Sequence, residues 1–413
     1  MKILNFGSCN IDFVYKLDHI VAPGETETSD SLDLFPGGKG LNQSIAVARA
    51  GIKVYHAGCL GEDGQMLMDI LNENGVDTSF IKIADCKNGH AIIQVNSSGE
   101  NSIFLYPGSN VMITTDFVDE VLSNFDEGDY ILLQNEISNI GYIIDKAHEK
   151  GMNIVLNPSP FNEIIGKIDL SKLTYLVLNE VEAKQFSHAD NFEKTLEFFK
   201  TNYPELKIML TLGSRGCVYM DKDHKIYQPI FEVEAVDTTA AGDTFTGYFI
   251  AGVARGEKYV HILRTASCAS AISVSRNGAA PSIPTYHEVM EGLTVLKMKS
   301  TSKSELVREK INGYLANSTG KASLETLASE LGYSSVYTGN LVKKLYGKPF
   351  SKVLQEKRCQ IAAKMLKDTS MPIVDVINAS GYENESFFRK IFKEKYGWNM
   401  LEYRTKFGGK GND

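Results

Sequence analysis

Between residues 130 and 212 the chain alternates short apolar runs with segments of helical spacing, and this alternation narrows the possible folds more than any other feature. The strand-like runs are residues 130–133, 153–156, 175–178 and 208–212. Strands alternating with helices build a parallel sheet covered by helices on both faces. Each run ends in polar residues: Gln134-Asn135-Glu136, Asn157-Pro158-Ser159-Pro160, Asn179-Glu180-Val181-Glu182, and Thr211-Leu212-Gly213-Ser214-Arg215-Gly216. Ligands of open α/β sheets bind beyond the carboxyl ends of the strands, so four polar ends on one edge point to a site there.

A second stretch gives that site its chemistry. Asp237-Thr238-Thr239-Ala240-Ala241-Gly242-Asp243-Thr244-Phe245 follows an alternating, strand-like segment and precedes an apolar run with helical spacing (Phe245, Phe249, Ile250, Val253). Its small residues therefore stand at a strand-to-helix turn, where free backbone N–H groups at Ala241, Gly242 and Asp243 can cradle an anion. Two readings fit Asp243: a helix cap, or a general base beside a bound phosphate.

The N-terminal third supplies further polar groups. Residues 2–7 read as a buried strand that places Asn10 and Asp12 at its carboxyl end, where they either grip hydroxyl groups or form a turn. Phe35-Pro36-Gly37-Gly38-Lys39-Gly40-Leu41-Asn42-Gln43 precedes a helical run and lets backbone approach a ligand closely. The order of its glycines and lysine excludes the Walker phosphate loop, since Gly40 follows the lysine and Pro36 occupies the first glycine position. Segments 13–35 and 89–106 alternate polar and apolar residues, as short antiparallel strands of a lid do.

With 413 residues the chain exceeds one ordinary core, and its net charge of −8 is unevenly spread. From residue 303 onward 19 Lys and Arg stand against 12 Asp and Glu, so the tail carries +7 and the rest −15. The tail is the part suited to a polyanion. Six scattered cysteines without a C-x-x-C pair argue against a zinc site or a disulfide framework and fit a reducing cytoplasm. No apolar run approaches a membrane span, and residues 1–7 are too short for a signal peptide.

Gly38-Lys39-Gly40 with Asn42, Asn157-Pro158 before Pro160, Asn179-x-x-Glu182, the Thr211 to Gly216 motif and the Asp237 to Phe245 motif occur in the order and spacing of ribokinase-like enzymes. Residues 1–298 thus resemble the PfkB family of carbohydrate kinases. The resemblance implies that Asp243 takes the proton of the sugar hydroxyl that attacks the γ-phosphate of ATP, with Ala241, Gly242 and the Asp243 amide as anion hole. It implies that Asn10, Asp12, Gly38, Lys39, Asn42 and Glu136 hold the sugar. Thr211, Gly213 and Ser214 would hold the nucleotide, and Asn179 and Glu182 would place magnesium and phosphate. Asp237, Thr239, Arg276, Gly278 and Ser282 would hold a monovalent cation, potassium in the first instance.

The tail repeats itself. Leu331-Gly332-Tyr333 recurs as Ser380-Gly381-Tyr382 and Leu345-Tyr346-Gly347 as Lys395-Tyr396-Gly397. Each copy reads as a short helix, a glycine turn and a second helix carrying bases, which is either a helix-turn-helix or a protein-docking hairpin. Residues 305–408 resemble the DNA-binding domain of AraC-type regulators, above all in Gly381-Tyr382-x-x-x-Ser386-Phe387-Phe388-x-x-x-Phe392-Lys393. That likeness implies that Ser335, Tyr337, Asn340, Asn384, Glu385 and Arg389 read bases and that Lys343, Lys344, Lys390 and Lys393 contact phosphates. Two departures stand out: Gly339 lies inside the first recognition helix, and Asn399-Met400 replaces a small-residue-proline pair.

The expectation is therefore a doubly wound, mostly parallel α/β domain with a β lid over residues 1–298, a linker at 299–304, and an all-α double helix-turn-helix domain over 305–413. Its function would be ATP-dependent phosphorylation of a sugar, ribose or a relative, coupled to duplex DNA binding in a cytoplasmic, homodimeric, sugar-responsive regulator. The competing readings are a sensor without turnover and a metabolic sugar or nucleoside kinase whose tail only docks.

Overall fold

The computed structural model describes residues 1–189, 191–299, 303–317, 322–382 and 384–407. The chain divides into two compact units, Met1–Lys299 and Ser300–Asp413. The first begins β1 (Ile3–Phe6), β2 (Asn10–Lys16), β3 (Ser31–Gly37), α1 (Lys39–Arg49), β4 (Val54–Gly61), α2 (Gln65–Glu73), β5 (Asp77–Ala84), β6 (Gly89–Val95) and β7 (Asn101–Tyr106). It continues through α3 (Thr115–Leu122), β8 (Tyr130–Gln134), α4 (Ile140–Glu149), β9 (Asn153–Asn157), β10 (Tyr175–Asn179), α5 (Glu180–Ser187), α6 (Phe192–Asn202) and β11 (Lys207–Thr211). It closes with β12 (Cys217–Met220), β13 (Lys225–Gln228), α7 (Ala241–Ala254), α8 (Tyr259–Val274) and α9 (Tyr286–Val295).

Nine strands form one sheet in the order β13-β12-β11-β10-β9-β8-β1-β4-β5, all parallel except β12, which pairs antiparallel with both β11 and β13. The chain leaves β1 toward β4 on one side and later returns on its other side as β8, so β1 marks the reversal of strand order. Crevices open beyond strand ends at such reversals. Side chains of successive residues point to opposite faces. One face accordingly buries Leu4, Ile131, Ile154 and Leu176 with α3, α4 and α6, and the other buries Ile3, Leu132, Val155 and Val177 with α1, α7 and α8. Parallel strands covered on both faces read as continuous apolar runs, which is why residues 130–212 are so legible.

The lid is a separate four-stranded sheet, β3-β2-β6-β7. Its outer pairs are antiparallel, as expected from sequence, but β2 and β6 run parallel, with Asn10 opposite Gly89. Both strands start from the floor of the crevice and rise the same way, and no local pattern encodes that long-range pairing. Residues 17–30 connect β2 to β3 without forming a strand.

The second unit is helical: α10 (Lys303–Asn317), α11 (Leu324–Leu331), α12 (Ser335–Tyr346), α13 (Phe350–Asp368), α14 (Ile373–Ala379), α15 (Glu385–Tyr396) and α16 (Met400–Phe407). Lys303 and Ser304, placed in the linker from sequence, already belong to α10. Two small cores hold it, one around Leu327, Val342 and Val353, the other around Ile377, Phe388 and Phe392.

Candidate active site

Parallel strands bring the polar ends of β1, β8, β9, β10 and β11 to one edge of the sheet. Asp243 is the third residue of α7 and only 8 % exposed; its carboxylate does not cap the helix, whose N-cap is Ala240 at φ 58°. Both oxygens instead meet α1. Oδ2 accepts from Asn42 Nδ2 at 3.1 Å and Oδ1 from Gln43 Nε2 at 2.8 Å. Asn42 Oδ1 is buried without a hydrogen-bond partner among the described residues, which leaves an acceptor beside the carboxylate.

Gln43 is itself held by a buried chain of amides. Its Nε2 also reaches Asn157 Oδ1 at 3.3 Å, and its Oε1 accepts from Gln134 Nε2 at 2.7 Å. Gln134 donates to Asn5 Oδ1 at 3.0 Å, Asn5 donates to Ser44 Oγ at 2.8 Å, and Ser44 Oγ lies 2.8 Å from His56 Nδ1. Burial lowers His56 to about 4, so the imidazole is neutral near pH 7 and orients the chain without adding charge.

Lys39 opens α1 and donates its N–H to Glu136 Oε2 at 3.0 Å. The negative charge of Asp243, then of Glu136 and Glu182, raises its ammonium against the pull of burial, so Lys39 stays cationic among three carboxylates. Burial in turn raises Glu136, outweighing Lys39 and the hydrogen bond from Ser8 Oγ. Asp12 is pushed up to about 7, first by burial and then by the charge of Glu136. The glycine loop makes this crowding possible. Gly38 adopts φ 93°, and a Cβ on Gly40 would lie 2.3 Å from the backbone N of Ser8. Gly40→Ala is expected to destabilise the first unit by about 1–3 kcal/mol, read as a lower midpoint in thermal unfolding.

Two cavities lie close to this cluster, reached through Glu136 in one case and through Ala241 and Gly242 in the other. One of about 620 Å³ is lined by Asn10, Asn110, Asn135 and Glu136 with Leu105 and Tyr106 of the lid. There Asn110 Nδ2 donates to Asn10 Oδ1 at 2.7 Å. The other, of about 570 Å³, brings together Thr211, Gly213 and Ser214 with Thr238, Ala241, Gly242 and Phe245 and with Ser267, Ser270 and Val274 of α8. The N–H groups of Gly242 and Asp243 fall in the first turn of α7, where a helix offers them no acceptor. Ala241 differs, since its N–H already donates to Thr238 O at 3.3 Å. A Cβ on Gly242 would meet nothing within 4 Å, so this helix start is open.

The remaining motif residues are locally engaged. Asn179 and Glu182 form a capping box: Asn179 Oδ1 accepts from the Glu182 N–H at 3.0 Å, and the carboxylate accepts from the Asn179 N–H and Nδ2, both at 2.9 Å. Asp237 accepts from the Thr239 hydroxyl at 2.6 Å and the Gly278 N–H at 3.0 Å. Although burial opposes it, these donors hold Asp237 below the usual carboxylate range. Arg276 pairs with Glu288 at 2.7 Å, and the Ser282 hydroxyl donates to Ala279 O at 2.8 Å. The structure thus joins Asp237, Thr239 and Gly278 and directs Arg276 and Ser282 to other partners.

In the second unit α11–α12 and α14–α15 are two helix-turn-helix pairs, with Gly332 at φ 70° and Gly381 at φ 84° in the turns. Tyr337, Asn340, Lys343 and Lys344 are exposed on α12, and Arg389, Lys390 and Lys393 on α15; Ser335 and Glu385 are half-buried. Asn384 is the N-cap of α15, its Oδ1 accepting from the Phe387 N–H at 3.0 Å, and Glu385 lies 3.5 Å from Arg389. Both sequence departures have local explanations. α12 continues through Gly339, where a Cβ would be 3.4 Å from Leu324, and Asn399 caps α16 by accepting from the Glu402 N–H at 2.9 Å.

Residues 1–286 match the pfkB family carbohydrate kinases, and residues 327–406 match a helix-turn-helix domain of AraC type. This chain belongs to the pfkB family of carbohydrate kinases. Ribokinase of Haemophilus influenzae is 34 % identical over 297 residues, 70 % of this chain and 96 % of that enzyme. Ribokinase of Cryptococcus neoformans, solved with ADP, superposes with a TM-score of 0.64 at 34 % identity and covers 70 % of this chain and 99 % of its own. The Arabidopsis thaliana ribokinase, solved with ribose and ATP, gives a TM-score of 0.64 at 27 % identity, covering 71 % and 98 %. The first unit is a sugar-hydroxyl phosphotransferase of this family, joined to a DNA-binding fold.

Within the kinase unit, sequence reasoning assigned no role to Gln43, Gln134, Asn110 or His56. Gln43 follows Asn42 in the glycine motif, and consecutive helical residues lie about 100° apart, so two adjacent amides of α1 reaching one carboxylate required knowing where α7 lies. Asn110 stands in a short turn after β7 and carries no motif at all.

Proposed function

We propose that this kinase transfers the γ-phosphoryl group of ATP to a hydroxyl of ribose or a closely related sugar, and that its tail binds duplex DNA in a sugar-responsive transcription regulator. The observation that carries the reading is the carboxylate of Asp243, clamped by Asn42 and Gln43 of α1 beside the open start of α7. Sugar in the first cavity would meet Asn10 and Glu136, and by the family likeness Asp12, Lys39 and Asn42 would complete its site. Nucleotide fits the second, with its terminal phosphates at the Gly242 and Asp243 amides. As the hydroxyl oxygen bonds to the γ-phosphorus, its proton passes to Asp243, and the bond from phosphorus to the departing ADP oxygen breaks. Lys39 offsets the charge that gathers there.

Both oxygens of Glu182 are engaged by Asn179, so this pair would hold the water shell of magnesium, which supplies charge neutralisation at the phosphates. Asp237, Thr239 and Gly278 are the residues to hold a monovalent cation, potassium by the family likeness. Exposed Leu32, Leu34 and Phe104 stand on one face of the lid by register and give it an apolar patch that a second copy would cover in a homodimer. No described helix is long and apolar enough to cross a membrane, and a cytoplasmic setting suits the six free cysteines.

Purified protein is to be mixed with ATP, magnesium and a panel of pentoses, hexoses and nucleosides. Transfer to ribose or a neighbouring sugar is expected, and sugar binding without transfer to any member would leave only the sensor. For the tail, selection from random duplexes should enrich one sequence, bound more weakly as salt rises, because phosphate contacts release counterions. No enrichment would favour a docking module.

Asp12 makes sugar binding pH-dependent. An ionised carboxylate accepts from hydroxyls with both oxygens and more strongly than its protonated form, and the value near 7 leaves Asp12 increasingly protonated below that pH. KM for the sugar is therefore expected to rise as pH falls from 8 to 6, and Asp12→Asn to flatten that profile. The stability contribution runs the other way. Because the folded value lies above the unfolded one, the fold gains protons relative to the unfolded chain, and stability decreases as pH rises between about 4 and 7.

A further inference from the structure

One wall of the second cavity is the segment from Ile230 to Ala235, between β13 and α7 in sequence. Backbone bonds tie it down on two sides. Toward α8, the N–H groups of Val236 and Asp237 donate to Val274 O at 2.9 and 3.1 Å. The other tie is to the last residues of the kinase unit. There the Glu232 N–H donates to Lys297 O and the Lys299 N–H to Ile230 O, each at 2.8 Å, around the antiparallel pair Phe231–Met298. Phe231 is 1 % exposed and anchored in the core, whereas Met298 is 44 % exposed. The strap 297–299 is thus held to the wall mainly through backbone, and Lys299 also lines the cavity.

The strap is also the end of the kinase unit in the chain, because α10 begins at Lys303. Three residues intervene, which span at most about 11 Å when fully extended. A ligand that presses on residues 230–233 bears on the strap, and a change in the strap is passed on through a very short tether. None of the residues lining the first cavity belongs to the wall or the strap. A tie of two backbone hydrogen bonds is weak enough for a ligand to shift its paired and unpaired populations.

We propose that the signal reaching the tail is nucleotide in the second cavity, and that sugar acts on it only by converting ATP to ADP. This inference rests on the reading that the second cavity takes ATP and that the tail binds DNA. Occupancy of the cavity by a nucleoside di- or triphosphate sets the strap, and the strap sets the affinity of the tail for duplex.

The test uses the full chain and a duplex carrying the sequence it enriches from a random pool. Duplex affinity is measured by fluorescence anisotropy alone, with ribose, with ADP, and with a non-hydrolysable ATP analogue plus magnesium; nucleotide affinity is measured separately by calorimetry, with and without duplex. At least one nucleotide should change duplex affinity about fivefold or more, ribose alone less than twofold, and duplex should change the affinity for that nucleotide by the same factor. A six-residue Gly-Ser insertion between Ser302 and Lys303 should leave phosphoryl transfer and basal duplex binding intact and abolish the nucleotide effect. Nucleotide and duplex both binding with neither affecting the other would overturn the coupling alone, as would a full effect from ribose or one that survives the insertion. Failure of nucleotide or duplex to bind at all would overturn the functional reading, and the coupling with it.

Discussion

Asp243→Asn is expected to lower kcat by about 10²- to 10⁴-fold while sugar and nucleotide still bind, the range typical for loss of a general base. The substitution keeps the shape of the side chain and removes its capacity to take the hydroxyl proton. It also places an amide opposite the donors Asn42 Nδ2 and Gln43 Nε2, so part of the carboxylate's hydrogen bonding is lost with its charge. The informative measurement is single-turnover phosphoryl transfer alongside calorimetric sugar binding. Undiminished transfer would refute the assignment of the base, and loss of binding together with transfer would make Asp243 a substrate ligand instead.

The second large effect is expected at a residue that no sequence motif singles out for a role. Gln43→Met keeps the volume and removes the donor to Asp243 Oδ1, leaving Gln134 and Asn157 each short of a partner. Removing one partner of a buried hydrogen bond to a charged group costs roughly 1–3 kcal/mol, which corresponds to about 5- to 150-fold. Because Gln43 acts through Asp243, the loss should fall on kcat, with KM for the sugar nearly unchanged. A merely structural role would lower the unfolding midpoint and leave kcat per folded molecule alone. Measuring both on the same preparation separates the two.

These expectations rest on parts of the molecule that were unequally legible. Residues 130–212 announced a parallel sheet because strands buried on both faces must be apolar throughout, and the polar residues after each strand had to share one edge once the strands were parallel. The repeat around Gly332 and Gly381 was equally plain, since a left-handed turn between two short helices calls for glycine. Asp243 was legible as a group at a helix start. Its freedom from capping was not, because that depends on Ala240 taking the cap position and on α1 lying against α7. The parallel pairing of β2 with β6 was similarly invisible, as their partners lie some eighty residues apart.

Sequence alone therefore determined the kind of chain this is: strand and helix periodicity, glycine positions and terminal motifs are local, and each follows from the covalent chemistry of a few neighbours. Tertiary structure alone decided which of those motif residues act together. It turned Asn42 and Gln43 onto Asp243 and tied the strap at Met298 to the wall of the second cavity. Each of these is a contact between groups distant in sequence or a choice among several available partners, settled by which surfaces the buried core brings together.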